Sequence, residues 1–122
     1  MPVSYSLEPP SLFLVRASGK VTHAEASSVL GNIREDERLA PGARMLIDGR
    51  MVTGAPLRPE LRQLARQLSE LRDFGMVATA IVTNQGFVYG VARMFAMFAE
   101  LMGYRVGVCL TMEDAFDWLG AQ

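Results

Sequence analysis

Residues 87–102, from Phe87 to Met102, carry only two charges, Arg93 and Glu100, and no proline. Gly86 precedes the segment and Gly103 follows it, so a helix bounded by glycines is expected. An ordinary surface helix needs an apolar stripe only somewhat wider than about 100°. Here Arg93 and Glu100 fall about 20° apart on the helical wheel, with Tyr89 beside them. The rest of the circumference is apolar or glycine, with Phe87, Val88, Val91, Met94, Phe95, Met97, Phe98, Leu101 and Met102. The segment is shorter than the roughly 20 residues that span a bilayer, so no integral membrane segment is expected. A soluble chain must therefore cover this helix in some other way. Three readings are open: burial by the chain's own elements, a homodimer interface, or one wall of a pocket for an acyl or other apolar ligand. Phe87, Val91, Met94, Phe95, Met97, Phe98 and Leu101 are the candidate surface, and Tyr89, Arg93 and Glu100 its polar strip. The methionines suit the last two readings, because flexible thioethers adapt to varied surfaces.

The flanking sequence sets the fold class. Residues 5–8 and 12–17 read as two short strands separated by Pro9-Pro10, forming an antiparallel pair. Thr22-His23-Ala24-Glu25 is a capping box, and Val29, Leu30 and Ile33 continue it with helical spacing. A short buried strand is expected at 44–48. Leu57, Leu61, Leu64, Leu68 and Leu71 mark one face of a second helix, with Pro59 tolerated in its first turn and Gly75 beyond its end. Residues 76–83 are apolar enough for a strand buried on both faces. After the apolar helix, residues 104–110 read as a strand. Thr111 then caps a last helix carrying Phe116, Trp118 and Leu119. The order ββαβαβαβα implies a single α/β domain: a mixed, mostly parallel five-stranded sheet with about four helices on both faces.

Size and composition agree with one domain spanning 1–122. The chain has 122 residues, 50% of them hydrophobic and 20% charged, enough to form a core without disulfides or metal. Its net charge of -1 lacks the positive excess of a nucleic-acid binder. The opening residues show no basic and apolar leader, and a cytoplasmic location is expected. The single cysteine, Cys109, lies in an apolar run and is expected to be buried and unreactive.

The second half carries a pattern beyond periodicity. Ala80-Ile81-Val82-Thr83, Tyr89-Gly90-Val91-Ala92-Arg93-Met94-Phe95, Ala99-Glu100 and Glu113-Asp114-Ala115-Phe116-Asp117-Trp118-Leu119 together resemble the SpoIIAA-like family over about residues 78–119. These are small bacterial proteins related in fold to STAS domains and comparable to the lipid-binding CRAL-TRIO (SEC14-like) fold. The resemblance implies a non-enzymatic domain that works through protein contacts, as a homodimer or with a partner protein, or that holds an apolar ligand. Regulatory STAS proteins are phosphorylated on a serine between the third strand and the second helix. This sequence departs there: residues 49–56 contain no serine, and Thr53 is the one hydroxyl available as a phosphoacceptor.

Few other residues suggest chemistry. Arg58, Arg62 and Arg66 form a row opposite the leucine stripe, with Glu60, Glu70 and Asp73 nearby, and read as a solvated face. Asp48 ends a strand where α/β sheets place ligands, yet has no acid–base partner in sight. His23 is the sole histidine, so neither a zinc site nor a His-based catalytic arrangement is expected, and no cofactor. Thr83-Asn84-Gln85-Gly86 enters a helix but lacks the lysine and spacing of a phosphate-binding loop, and Asn84 is expected to serve as a cap or turn residue.

Overall fold

A computed structural model describes residues 3–8 and 11–122. Pro9 and Pro10, on which the expected break between the first two strands rests, lie outside the described residues. The elements in order are β1 (Val3–Glu8), β2 (Leu12–Lys20), α1 (His23–Glu35), β3 (Ala43–Gly54), α2 (Arg58–Glu70), a 3-10 turn (Leu71–Phe74), β4 (Met76–Val82), α3 (Phe87–Leu101), β5 (Arg105–Cys109) and α4 (Met112–Gly120). This is the ββαβαβαβα order read from the sequence.

The five strands lie side by side in chain order, β1-β2-β3-β4-β5. β1 pairs antiparallel with β2, and β2 through β5 run parallel. Each parallel crossover therefore advances one strand in the same direction. Right-handed crossovers that all advance one way deposit their helices on one face. The cores show this division. Phe13, Val15, Met45 and Val106 pack with α1, α2 and α3. Leu14, Leu46, Ala80 and Val82 point the other way and meet Ala115 and Leu119 of α4. Both faces are covered, but three helices lie on one and a single short helix on the other.

Local signals explain the boundaries. Thr22 Oγ1 accepts from the Glu25 amide at 3.2 Å, and Glu25 Oε1 accepts from the Thr22 amide at 3.0 Å, completing the capping box. Leu61, Leu64, Leu68 and Leu71 are buried as their spacing requires. Gly75 closes the 3-10 turn at φ 109°, where a Cβ would meet the Ala40 and Pro41 backbone at 2.5 Å. Only glycine fits both the left-handed conformation and that contact.

Two boundaries differ from expectation. β3 does not stop at Asp48 but continues to Gly54, because β2 also runs on to Lys20 and offers it a partner. The register shifts between Arg16 and Ser18, so the two strands stay paired around an irregularity at Gly49 and Arg50. Leu57 does not join the leucine face. It sits ahead of α2 in extended conformation, 74% exposed, with its amide donating to Glu60 Oε1 at 3.1 Å.

The lone helix α4 is held at three points. Thr111 Oγ1 accepts from the Asp114 amide at 3.0 Å. Arg44 reaches across from β3 and donates to the Leu119 and Gln122 carbonyls at 3.1 and 2.9 Å, placing a cation at the helix C-terminus. The Trp118 indole lies on Gly107, where a Cβ would stand 2.5 Å from ring carbons. Gly107→Ala is expected to destabilise the fold by about 1–3 kcal/mol through overpacking. The check is a lower urea midpoint together with a red-shifted emission of Trp118, the only tryptophan.

Candidate functional site

Ile47 sits on β3, the middle strand of the five, and faces the three-helix layer. Its neighbours Met45 and Leu46 are completely buried, yet Ile47 is only half-buried. The helix layer parts above it. Beneath the gap lie two apolar hollows of about 100 and 150 Å³. They share Ala17, Val21, Ala26, Ile47, Leu64 and Phe95, and so form one continuous chamber.

The elements explain why a chamber forms here. Ala17 and Ile47 alternate on β2 and β3 toward the helices, Ala26 comes from the first turns of α1, and Phe95 from the middle of α3. Two of the shared residues are alanines, where a packed core would place larger side chains. The wider end opens at the carboxyl ends of the parallel strands, between Val52, Ala55 and Pro56 on one side and Val88 and Val91 on the other. Ligands of α/β sheets favour this end. Met51, Leu57 and Phe87, each more than 70% exposed, belong to this same end: the β3 extension and the starts of α2 and α3.

Thr83 is the one polar side chain in the walls, and its buried hydroxyl has no hydrogen-bond partner among the described residues. A second depression of about 510 Å³ lies outside, between α3 and β5. It mixes Arg93 and Glu100 with Met94 and Met97, and is a surface furrow beside the chamber rather than part of it.

The candidate residues of α3 thus separate. Val91 and Phe95 line the chamber. Phe98 is buried in the core under the Arg62 guanidinium, 5.2 Å from its ring centroid. Met94 and Met97 border the outer furrow, and Met97, Leu101 and Phe87 are exposed at 52%, 79% and 74%. Of the polar strip, Arg93 donates to the Tyr89 hydroxyl at 3.2 Å, while Arg93 and Glu100 are both exposed. Sequence reasoning missed Ala17, Val21, Ala26, Ile47 and Leu64. The available signal was small or aliphatic residues at core-facing positions of several elements, visible only once those elements are brought together.

No known family's sequence profile matches the chain, and no curated protein matches it in sequence. Among solved structures it is similar to an uncharacterised protein of the DUF3478 family from Shewanella loihica PV-4, described as having a SpoIIAA-like fold. The two are 16% identical, with a TM-score of 0.62 over 96% of this chain and 91% of the other. The chain has a SpoIIAA-like fold.

Within that SpoIIAA-like fold, the remaining candidates are placed as follows. Thr53 is exposed and lies inside β3, not in a turn leading to α2. Asn84 does not cap α3; its side-chain amide donates to the Arg50 carbonyl at 2.7 Å, and Gly86 stands at the N-cap. Arg58, Arg62 and Arg66 are exposed as expected and border a shallow depression with Pro59 and Gln63. His23 is half-buried in the first turn of α1. Cys109 is half-buried rather than buried, and burial together with nearby Asp114 raises its thiol above the ordinary range. No three metal-ligating side chains converge among the described residues, and no described helix is long and apolar enough to cross a membrane.

Asp48 is held by Arg50, whose Nε and Nη2 donate to the two carboxylate oxygens at 2.9 and 2.8 Å. Those hydrogen bonds keep its carboxyl below the usual range. A depressed folded-state value stabilises the fold above the unfolded pKa and loses that stabilisation as pH falls through the folded value. Arg50→Gln is therefore expected to raise the Asp48 pKa toward about 3.9. Its stability deficit should be greatest at neutral pH and shrink on acidification below about pH 4, as followed by NMR titration and urea melts.

Proposed function

We infer that this chain is a non-enzymatic binding domain whose ligand is an apolar small molecule of the acyl-chain kind, carried or sensed in the chamber above Ile47. The observation that carries the reading is the half-burial of a central-strand isoleucine beneath a parted helix layer, in walls whose side chains are apolar but for Thr83. Magnitudes favour an occupant. At about 24 cal/mol per Å³ of unfilled apolar volume, the inner hollow alone costs roughly 2 kcal/mol. That is a large part of a typical stability of about 5–15 kcal/mol. A ligand that fills it recovers the lost contacts, and half-buried Ile47 and Phe95 gain burial.

A second reading, self-association, draws on a different observation. The exposed side of α3 carries Met97 and Leu101, which nothing in the described chain covers. It is compatible with ligand binding, because Val91 and Phe95 face the chamber while Met97 and Leu101 face outward.

The ligand reading is tested with a fluorescent fatty acid titrated into the protein, and with native mass spectrometry of the protein as purified. Saturable binding in the wild type, weakened about tenfold or more in Ala26→Phe with an unchanged circular dichroism spectrum, is the expected result. No binding by the wild type, or equal binding by a folded Ala26→Phe, would overturn it.

A further inference from the structure

Phe87, Gly90, Met94, Met97 and Leu101 follow one another on α3 at spacings of three, four, three and four. That is the a/d pattern of a coiled-coil seam: Phe87, Met94 and Leu101 at a, Gly90 and Met97 at d. The pattern coincides with exposure, since Phe87, Gly90, Met97 and Leu101 are all exposed and Met94 is half-buried. The e positions, Val91 and Phe98, turn inward to the chamber and the core. The g positions are Arg93 and Glu100, both exposed. One flank of the seam is thus charged with opposite signs one heptad apart, while the other is occupied by the chain's own core.

Resting on the self-association reading, we propose that the occupant of this seam is α3 of a second copy, packed antiparallel about a two-fold axis. Charge selects the orientation. In an antiparallel pair, g positions face g positions, so Arg93 of each copy lies beside Glu100 of the other, and both ion pairs form at once. A parallel pair would set each g residue against an e position, and those are Val91 and Phe98. Layer pairing reaches the same register independently. Antiparallel seams match a with d, which puts Met94 on Met97 twice and Leu101 on Gly90 twice. Leu101 is 79% exposed, and a Cβ built on Gly90 meets nothing within 4 Å, so the largest projection faces the open position. The furrow between α3 and β5, walled by Met94, Met97, Val106 and Val108, gives the partner's side chains a second wall. Such an interface is isologous and closes at the dimer, as a two-fold requires.

The test uses charge swaps on the full chain, read by light scattering at hundreds of micromolar. Wild type is expected to be dimeric. Arg93→Glu and Glu100→Arg should each weaken the dimer about tenfold or more, because each turns two attractions into two repulsions. Mixed in equal amounts, the two variants should restore a dimer, since each then supplies the charge the other lacks. Leu101→Asp should be monomeric, with an unchanged circular dichroism spectrum. A monomeric wild type would overturn both this proposal and the self-association reading. A dimer unaffected by either swap and by Leu101→Asp would overturn the seam while leaving self-association standing. Variants that stay monomeric on mixing would overturn the antiparallel register.

Discussion

The order of the sheet governs the rest of the molecule. Because β2 to β5 lie in chain order and run parallel, every crossover advances the same way, and right-handedness then confines α1, α2 and α3 to one face. The opposite face is left to whatever follows β5, and only α4 follows it. Nine residues, Met112–Gly120, must cover what three helices cover on the other side. This makes the pinning of α4 by Arg44, Thr111 and the Trp118–Gly107 contact an architectural need. The same order leaves α3 above the edge strand β5, with a neighbour on one side only. It also gathers the starts of α1, α2 and α3 at the carboxyl ends of the strands, where the chamber opens.

α3 inverts the usual relation between side-chain size and burial. Its buried residues are Ala92, Ala96, Phe98 and Ala99, while Phe87, Met97 and Leu101 are exposed. Small residues let a helix approach the sheet closely, and the area gained by that approach replaces the area of larger side chains. The sequence shows a helix apolar nearly all round, which identifies a problem of coverage. It does not show which part of the circumference faces the core, because three of the four buried side chains are alanines and alanine scarcely biases an apolar wheel. The split into chamber wall, core and outer seam had to come from the fold.

Most of the architecture was legible because it rests on local chemistry. The capping box at Thr22, the leucine spacing of α2, the apolar run of β4 and the Thr111 cap each fix an element by interactions within a few residues. The errors have non-local causes. β3 outlasts Asp48 because β2 supplies partners as far as Lys20, and Leu57 leaves its helix face because Glu60 binds its amide before the helix begins. The chamber was legible only through Val91 and Phe95. A hollow is defined by what several elements fail to fill, and Ala17, Ala26 and Ile47 are each unremarkable within their own segments.

Polar side chains bear on function by how fully the fold already employs them. Asp36 accepts from Tyr5 at 2.8 Å and from Arg38 at 2.7 Å, which join β1 to the end of α1 and hold its carboxyl well below the usual range. Asp48 is clamped by Arg50, and Arg44 and Arg72 donate to carbonyls at the ends of α4 and α3. Thr79 and Tyr104 share a buried 2.8 Å hydrogen bond that satisfies both hydroxyls, and burial raises the Tyr104 phenol above its ordinary range. A perturbed group usually deserves suspicion as an acid or base. Each of these shifts instead traces to a structural partner or to burial, and none of these groups lines the chamber. The features without such employment are apolar: the walls around Ile47, the projecting Met97 and Leu101, and the exposed Phe87 at the start of α3. Apolar surface is non-directional and recognises by shape and area, not by proton transfer. A fold that commits its polar groups to holding itself together, and leaves hydrophobic surface unpaired, is suited to binding.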